Sequence, residues 1–239
     1  MKIVEYNNSH DVVVEFQDEH GFKTNTTYQN FIKGEIKNPY FPDVFGVAMI
    51  GSKYPSRING VKTKEYKTWI SMLQRCYDDA VKTRHPTYKS AICCNEWLVY
   101  ENFYEWLHRQ ENFEKWINGD KWCIDKDILV KRNKVYSPET CCLVPNSVNV
   151  LFTKRDNFRG DLPIGVCKYK DKFRAQCQNP FSGEKEYLGL YETPKQAFKT
   201  YKTYKEDLIK KVAEDEYFKD NISEHCYIAM MSYIVEIDD

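Results

Sequence analysis

The sequence predicts an α+β protein built in several modules, and three observations carry that reading. Residues 1 to 28 alternate apolar and polar in the period of strands, and from Lys64 the apolar spacing changes to that of a helix. Between Ile164 and Tyr191 three short strand-like runs precede a helix whose start is marked residue by residue. The architecture expected is an amino-terminal small β-barrel-like sheet, central helices with a ββα unit, and a carboxy-terminal three-stranded sheet packed on one helix. The divisions fall at 1–61, 62–152 and 153–239.

At 239 residues the chain is long enough to bury a sizeable core. Lys plus Arg and Asp plus Glu are both 35, so total charge favours no partner class, and only local charge can. Aromatics make up 15% of the residues, which argues for packed modules over disorder and leaves rings available for stacking on bases. No apolar run is long enough to span a bilayer, so no membrane partner is expected. The 9 cysteines are odd in number, no Cys-x-x-Cys pair exists, and the chain opens MKIVEYNN without a signal-like segment. These features predict free thiols in a reducing, cytoplasmic setting, and zinc is not expected.

In chain order, Ile3 to Tyr6, Val12 to Phe16 and Phe22 to Tyr28 read as strands separated by Asn-, Asp- and Gly-bearing turns. Tyr28 to Lys33 adds a helical turn that Gly34 ends. Glu5, Asp11, Glu15, Asp18 and Glu19 make this module acidic, which suits a protein partner better than DNA. Residues 46 to 62, punctuated by Gly51, Pro55 and Gly60, read as a connector. Tyr66, Trp69, Met72, Leu73, Cys76 and Tyr77 share one helical face, and a second helix is expected from Asn95 to about Arg109 with Trp97, Tyr100, Phe103, Tyr104 and Leu107 inward.

The stretch from Trp122 to Asn149 reads as a hairpin running into a helix, with polar groups at its corners: Asp125-Lys126-Asp127, Asn133 and Asn149. Such corners suit a divalent cation beside a phosphate, or the two aspartates simply cap a turn. With the flanking Trp-x-x-Met-Leu-x-Arg-Cys-Tyr and Cys-Asn-Glu-Trp patterns, the segment from about Tyr66 to Leu151 resembles the ββα-metal core of HNH nucleases, in the form found in phage and mobile-element proteins. That resemblance implies a phage-encoded DNA endonuclease or nickase using Mg2+ or another divalent cation. It places Lys126 where the family has its general-base His, Asp125 or Asp127 at a metal ligand, Asn133 at the turn Asn, and Asn149 at the final ligand. Lys126 is a departure from the family, because an ammonium keeps its proton at neutral pH and activates water poorly. Losing the base costs roughly two or more orders of magnitude in rate. The departure favours a non-catalytic DNA-binding or anti-defence interaction protein on a nuclease-derived frame as the alternative.

The last module is the most explicit. Thr193 stands as N-cap, Pro194 follows in the first turn and Gln196 completes a capping box, after which Ala197, Tyr201, Tyr204, Leu208, Val212 and Ala213 form a stripe. Leu162 to Val166, Phe173-Arg174-Ala175, Tyr187-Leu188-Gly189 and Glu192 to Phe198 resemble the Apetala-type (ethylene-response-factor) DNA-binding domain. The resemblance implies a sheet that lies against double-stranded DNA, with Tyr169, Lys185 and Tyr187 among the family's contacting positions; Lys170, Lys172, Arg174, Gln176 and Gln178 complete the set expected to meet it. Alternation independently puts Phe173, Ala175 and Cys177 on the helix side and Arg174, Gln176 and Gln178 on the open side. Between Lys154 and Gln178 seven basic residues (Lys154, Arg155, Arg159, Lys168, Lys170, Lys172, Arg174) face three acidic ones (Asp156, Asp161, Asp171), a footprint suited to phosphate or a solvated sheet edge. Tyr227 to Ile237 is expected to pack back as a final helix or strand.

Overall fold

The computed structural model describes residues 1–153 and 160–237. The protein is mixed α+β and divides into two compact units, 1–107 and 108–239. Lys154, Arg155, Asp156 and Arg159 of the basic cluster lie outside the described residues.

In the first unit, β1 (Lys2–Asn8), β2 (Asp11–Glu15) and β3 (Lys23–Thr26) form an antiparallel sheet in the order β1-β2-β3. Val12 and Val14 on the central strand are fully buried, while Glu15 is bracketed by Lys2 at 2.9 Å and Lys23 at 3.5 Å. The short helix α1 (Tyr28–Lys33) starts on the Thr27 hydroxyl and stops at Gly34 in the left-handed region. A hairpin of β4 (Arg57–Ile58) and β5 (Val61–Lys62) leads into α2 (Lys64–Tyr77), whose apolar face, Trp69, Met72, Leu73 and Cys76, is the one the spacing predicts.

Two details of this unit escape the periodicity. Asp78 ends α2 and at once caps α3 (Asp79–Arg84) through its carboxylate, so a second helix follows directly. After the short strand β6 (Ile92–Cys93), the expected helix from Asn95 is broken into a 3-10 turn at Glu96–Leu98 and α4 (Tyr100–His108). The cause is Met49, whose N–H donates to the Leu98 carbonyl and whose carbonyl accepts from Tyr100, which holds Val99 extended.

In the second unit, α5 (Phe113–Asn118) precedes β7 (Trp122–Asp125), which pairs antiparallel with β9 (Cys142–Pro145). The short strand β8 (Val135–Tyr136) lies between them in sequence, and α6 (Asn146–Phe152) follows, giving the hairpin-into-helix order read from the sequence. The carboxy-terminal sheet is β10 (Val166–Tyr169), β11 (Lys172–Gln178) and β12 (Lys185–Tyr191) in that order, all antiparallel. Helix α7 (Pro194–Phe218) crosses one face of it, and α8 (Glu224–Met231) packs on α7.

One continuous core joins these parts. Val144, Val148 and Leu151 of the hairpin and helix meet Val166, Ala175, Ala197, Tyr201, Ile209 and Met230. A ββα unit this short has too little apolar surface to exclude water alone, and sharing a core with the sheet supplies it. Gly165 makes the close approach here: at φ +76°, an added Cβ would sit 2.0 Å from the Tyr201 ring. The start of α7 has the capping box the sequence specifies, with Thr193 Oγ1 accepting from Gln196 N at 3.3 Å and Thr193 N donating to Gln196 Oε1 at 3.2 Å.

Candidate metal corner and candidate nucleic-acid interface

At the end of β7 the chain turns sharply, and each polar residue of the Asp-Lys-Asp step takes a different job. Asp125 is buried, and its Oδ1 accepts the backbone N–H groups of Asp127 at 2.7 Å and Ile128 at 2.9 Å. It is therefore the turn cap that the sequence admits as one of two roles. Burial raises its carboxyl above the ordinary value, an effect the two N–H groups only partly oppose.

Lys126 is 8% exposed and points back into the same loop. Its Nζ donates to Asp127 Oδ1 and Oδ2 at 2.7 and 2.8 Å and to the Asn133 carbonyl at 2.8 Å, filling all three donor positions of the ammonium. The Asn133 side chain locks the other side, donating to the Lys126 carbonyl at 2.8 Å and the Val135 carbonyl at 2.6 Å, and accepting from Val135 N at 3.0 Å. Lys126, Asp127 and Asn133 are thus brought into one latch.

Asn149 lies on α6, partly buried, and among the described residues no hydrogen bond ties it to Asp125 or Asp127. Nor do the described residues contain a group of three or more His, Cys, Asp or Glu placed to hold a metal ion. All nine cysteines are free, and burial pushes the Cys141 thiol up to about 12.

The second candidate is the open face of β10-β11-β12. Register places Cys167 opposite Arg174, Tyr169 opposite Lys172, Gln176 opposite Tyr187 and Gln178 opposite Lys185. The eight residues expected to face DNA therefore divide into seven on this face and Lys170 in the β10–β11 turn, at φ +53°. Arg174 is held by two neighbours, its Nε lying 3.4 Å from Cys167 Sγ and its guanidinium 5.3 Å from the Tyr169 ring centroid. Tyr187 stands 63% exposed beside them.

Two of the expected contacts are already engaged. Lys172 pairs with Glu192 at 2.7 Å, and the Gln178 amide donates to the Gly183 carbonyl at 2.8 Å. A register shift between Ala175 and Gln176, where Leu188 is the extra residue, puts a bulge in β12, and Leu190 opposite Arg174 becomes a half-exposed apolar member of the face. Sequence alternation misses Leu190 because the bulge resets the parity of β12.

It also misses Lys205, a lysine in the middle of the apolar stripe of α7 and 7% exposed. The signal was present: Lys205 lies four residues after Tyr201 and four before Ile209, both buried.

No family model matches the chain, and neither a curated protein nor a solved structure matches it. Among the described residues no helix is long and apolar enough to cross a membrane.

Proposed function

We propose that the chain is a double-stranded-DNA-binding protein on an HNH-like, nuclease-derived frame, in which the corner that would grip a divalent cation is occupied by the protein's own ammonium. The finer division follows that reading: an amino-terminal barrel-like sheet module, a central ββα core and an Apetala-type sheet-and-helix module. The observation that carries it is the Lys126 latch. A cation drawn to Asp127 must first displace an ammonium that already makes three hydrogen bonds. Asp125 faces the backbone and is spent as a cap. On the binding side, Arg174, Lys185, Tyr169 and Tyr187 offer cations and flat rings on one surface, the chemistry that phosphates and base edges call for.

A second reading, strand scission with Mg2+ or Mn2+, is favoured by one feature: the Asp127 side chain is 44% exposed and open to an ion from solvent. Incubation of the full chain with supercoiled plasmid and either metal separates the two. Retarded plasmid that stays supercoiled is the expected result. Nicking that disappears in Asp127→Ala overturns it in favour of an endonuclease, and neither retardation nor nicking overturns both.

A further inference from the structure

A cavity of about 1000 Å³ lies between α6 and the β10–β11 side of the carboxy-terminal module, within the size that drug-like and nucleotide-like ligands occupy. Val150, Leu162, Ile164 and Pro180 give it apolar walls. Its charged lining is of one sign: Lys168, Lys185 and Lys205 contribute to it, and no carboxylate does among the described residues.

Lys205 is the unusual member. It reaches the cavity from the buried stripe of α7 and is more than nine-tenths buried. Among the described residues its ammonium has no hydrogen-bond or ion-pair partner, and it is not sealed away from solvent either, so it opens on the cavity. The titratable group beside it is Cys177, whose thiol is raised by burial and therefore neutral, and which donates to the Gln178 carbonyl at 3.6 Å. An ammonium held in so dry a place without a counter-charge destabilises the fold, and replacing it by an apolar side chain of similar length removes that cost. A residue that weakens the fold in this way marks a candidate binding position.

We propose that this cavity binds a nucleotide-sized organic phosphate, with the phosphate on Lys205 and its apolar body against the Ile164 and Leu162 wall. Phosphate is the anion chosen because the lining carries three ammonium groups and, among the described residues, no carboxylate. Gln176 and Ser147 add neutral hydrogen-bonding groups at the edge. The site does not depend on the DNA reading, although Gln176, Gln178 and Lys185 border both surfaces.

The test is calorimetric titration of the full chain with AMP, adenosine and inorganic phosphate, and of the Lys205→Met and Lys205→Arg variants with AMP. AMP should bind, adenosine should bind at least about tenfold more weakly, and Lys205→Met should lose about tenfold or more while Lys205→Arg retains part of the affinity. A short DNA duplex titrated into Lys205→Met should bind as it does to the parent chain, which separates a free nucleotide from a strand phosphate as the ligand. The proposal is overturned if neither AMP nor inorganic phosphate binds, or if Lys205→Met binds AMP as well as the parent. A Lys205→Met chain that fails to fold also counts against it, because an ammonium without partners has no structural bond to lose. Lys185→Met, at the exposed rim, should weaken AMP by a smaller factor.

Discussion

Lys126 and Asp127 are neighbours in sequence whose side chains fold toward each other, the ammonium lying 2.7 and 2.8 Å from the two carboxylate oxygens while its third proton goes to the Asn133 carbonyl. The pair is asymmetric: the lysine side chain is 10% exposed and the aspartate side chain 44%. Removing Asp127 therefore strips the buried partner, not the solvated one. Asp127→Ala should lower stability by about 1–2 kcal/mol, the lower part of the range for charged hydrogen bonds because the carboxylate is half in water. Urea unfolding of the two proteins measures this, and DNA retardation should be unchanged between them.

Asp125 gives a prediction of opposite sign. Its Oδ1 caps two N–H groups, yet burial raises its carboxyl, so the charge is a burden and the oxygen an asset. Asp125→Asn keeps the accepting oxygen and should leave stability at pH 7 equal or higher, whereas Asp125→Ala should cost about 0.5–2 kcal/mol. A folded-state value above the unfolded one means that the folded protein holds the extra proton, so stability falls as pH rises from the ordinary aspartate range through the raised value. Asp125→Asn should flatten that fall in a series of thermal melts.

On the open face, Arg174 is positioned by Cys167 and Tyr169, and Lys185 stands opposite Gln178. If the face meets phosphates, Arg174→Ala and Lys185→Ala should each weaken duplex binding and each reduce the slope of log K against log salt by about one. Lys172→Ala should do less, since Lys172 is already paired with Glu192. Fluorescence anisotropy across a salt series reads all three, and equal salt slopes in every variant would remove the face from the binding account.

How much of this was legible follows the range of the interactions involved. The α7 start was explicit in Thr193-Pro194-Gln196 because a capping box is closed within four residues. The α2 face and the strands of both three-stranded sheets were legible from period alone. The break at Val99 was not, because its cause, the Met49 backbone, is fifty residues away in sequence. The Lys126 latch was half legible: the charges are adjacent, but the Asn133 carbonyl reaches the ammonium only once the loop has closed. Lys205 was legible as a position, four residues from both Tyr201 and Ile209, but the cavity beside it is a tertiary feature that spacing does not carry.

Gly165 provides a check on the packing that joins α7 to the sheet. Its φ of +76° disfavours any other residue, and a Cβ would enter the Tyr201 ring at 2.0 Å. Gly165→Ala should destabilise by about 2–4 kcal/mol, while Gly165→Ala with Tyr201→Ala should cost less than the two single changes added, because the smaller side chain makes room. Denaturant melts of the four proteins give the coupling directly, and strict additivity would mean that the two residues do not touch in solution.

The buried ammonium of Lys205 also fixes the sign of a pH effect. Burial lowers its value below that of a free lysine, so between the lowered value and the ordinary 10.5 the unfolded chain binds the proton and the folded chain does not. Stability from this group therefore rises with pH across that window, while below it the charged form is present in both states and the full cost of burying it is felt. Lys205→Met removes the group from both states. The variant should melt above the parent at neutral pH, and the gap should narrow as pH is raised toward 10. Cys177, raised by burial and lying beside Lys205, is present in both proteins. Differential scanning fluorimetry of the pair from pH 7 to about 10 measures it, and a gap that stays constant, or widens with pH, would mean that the ammonium is solvated rather than buried.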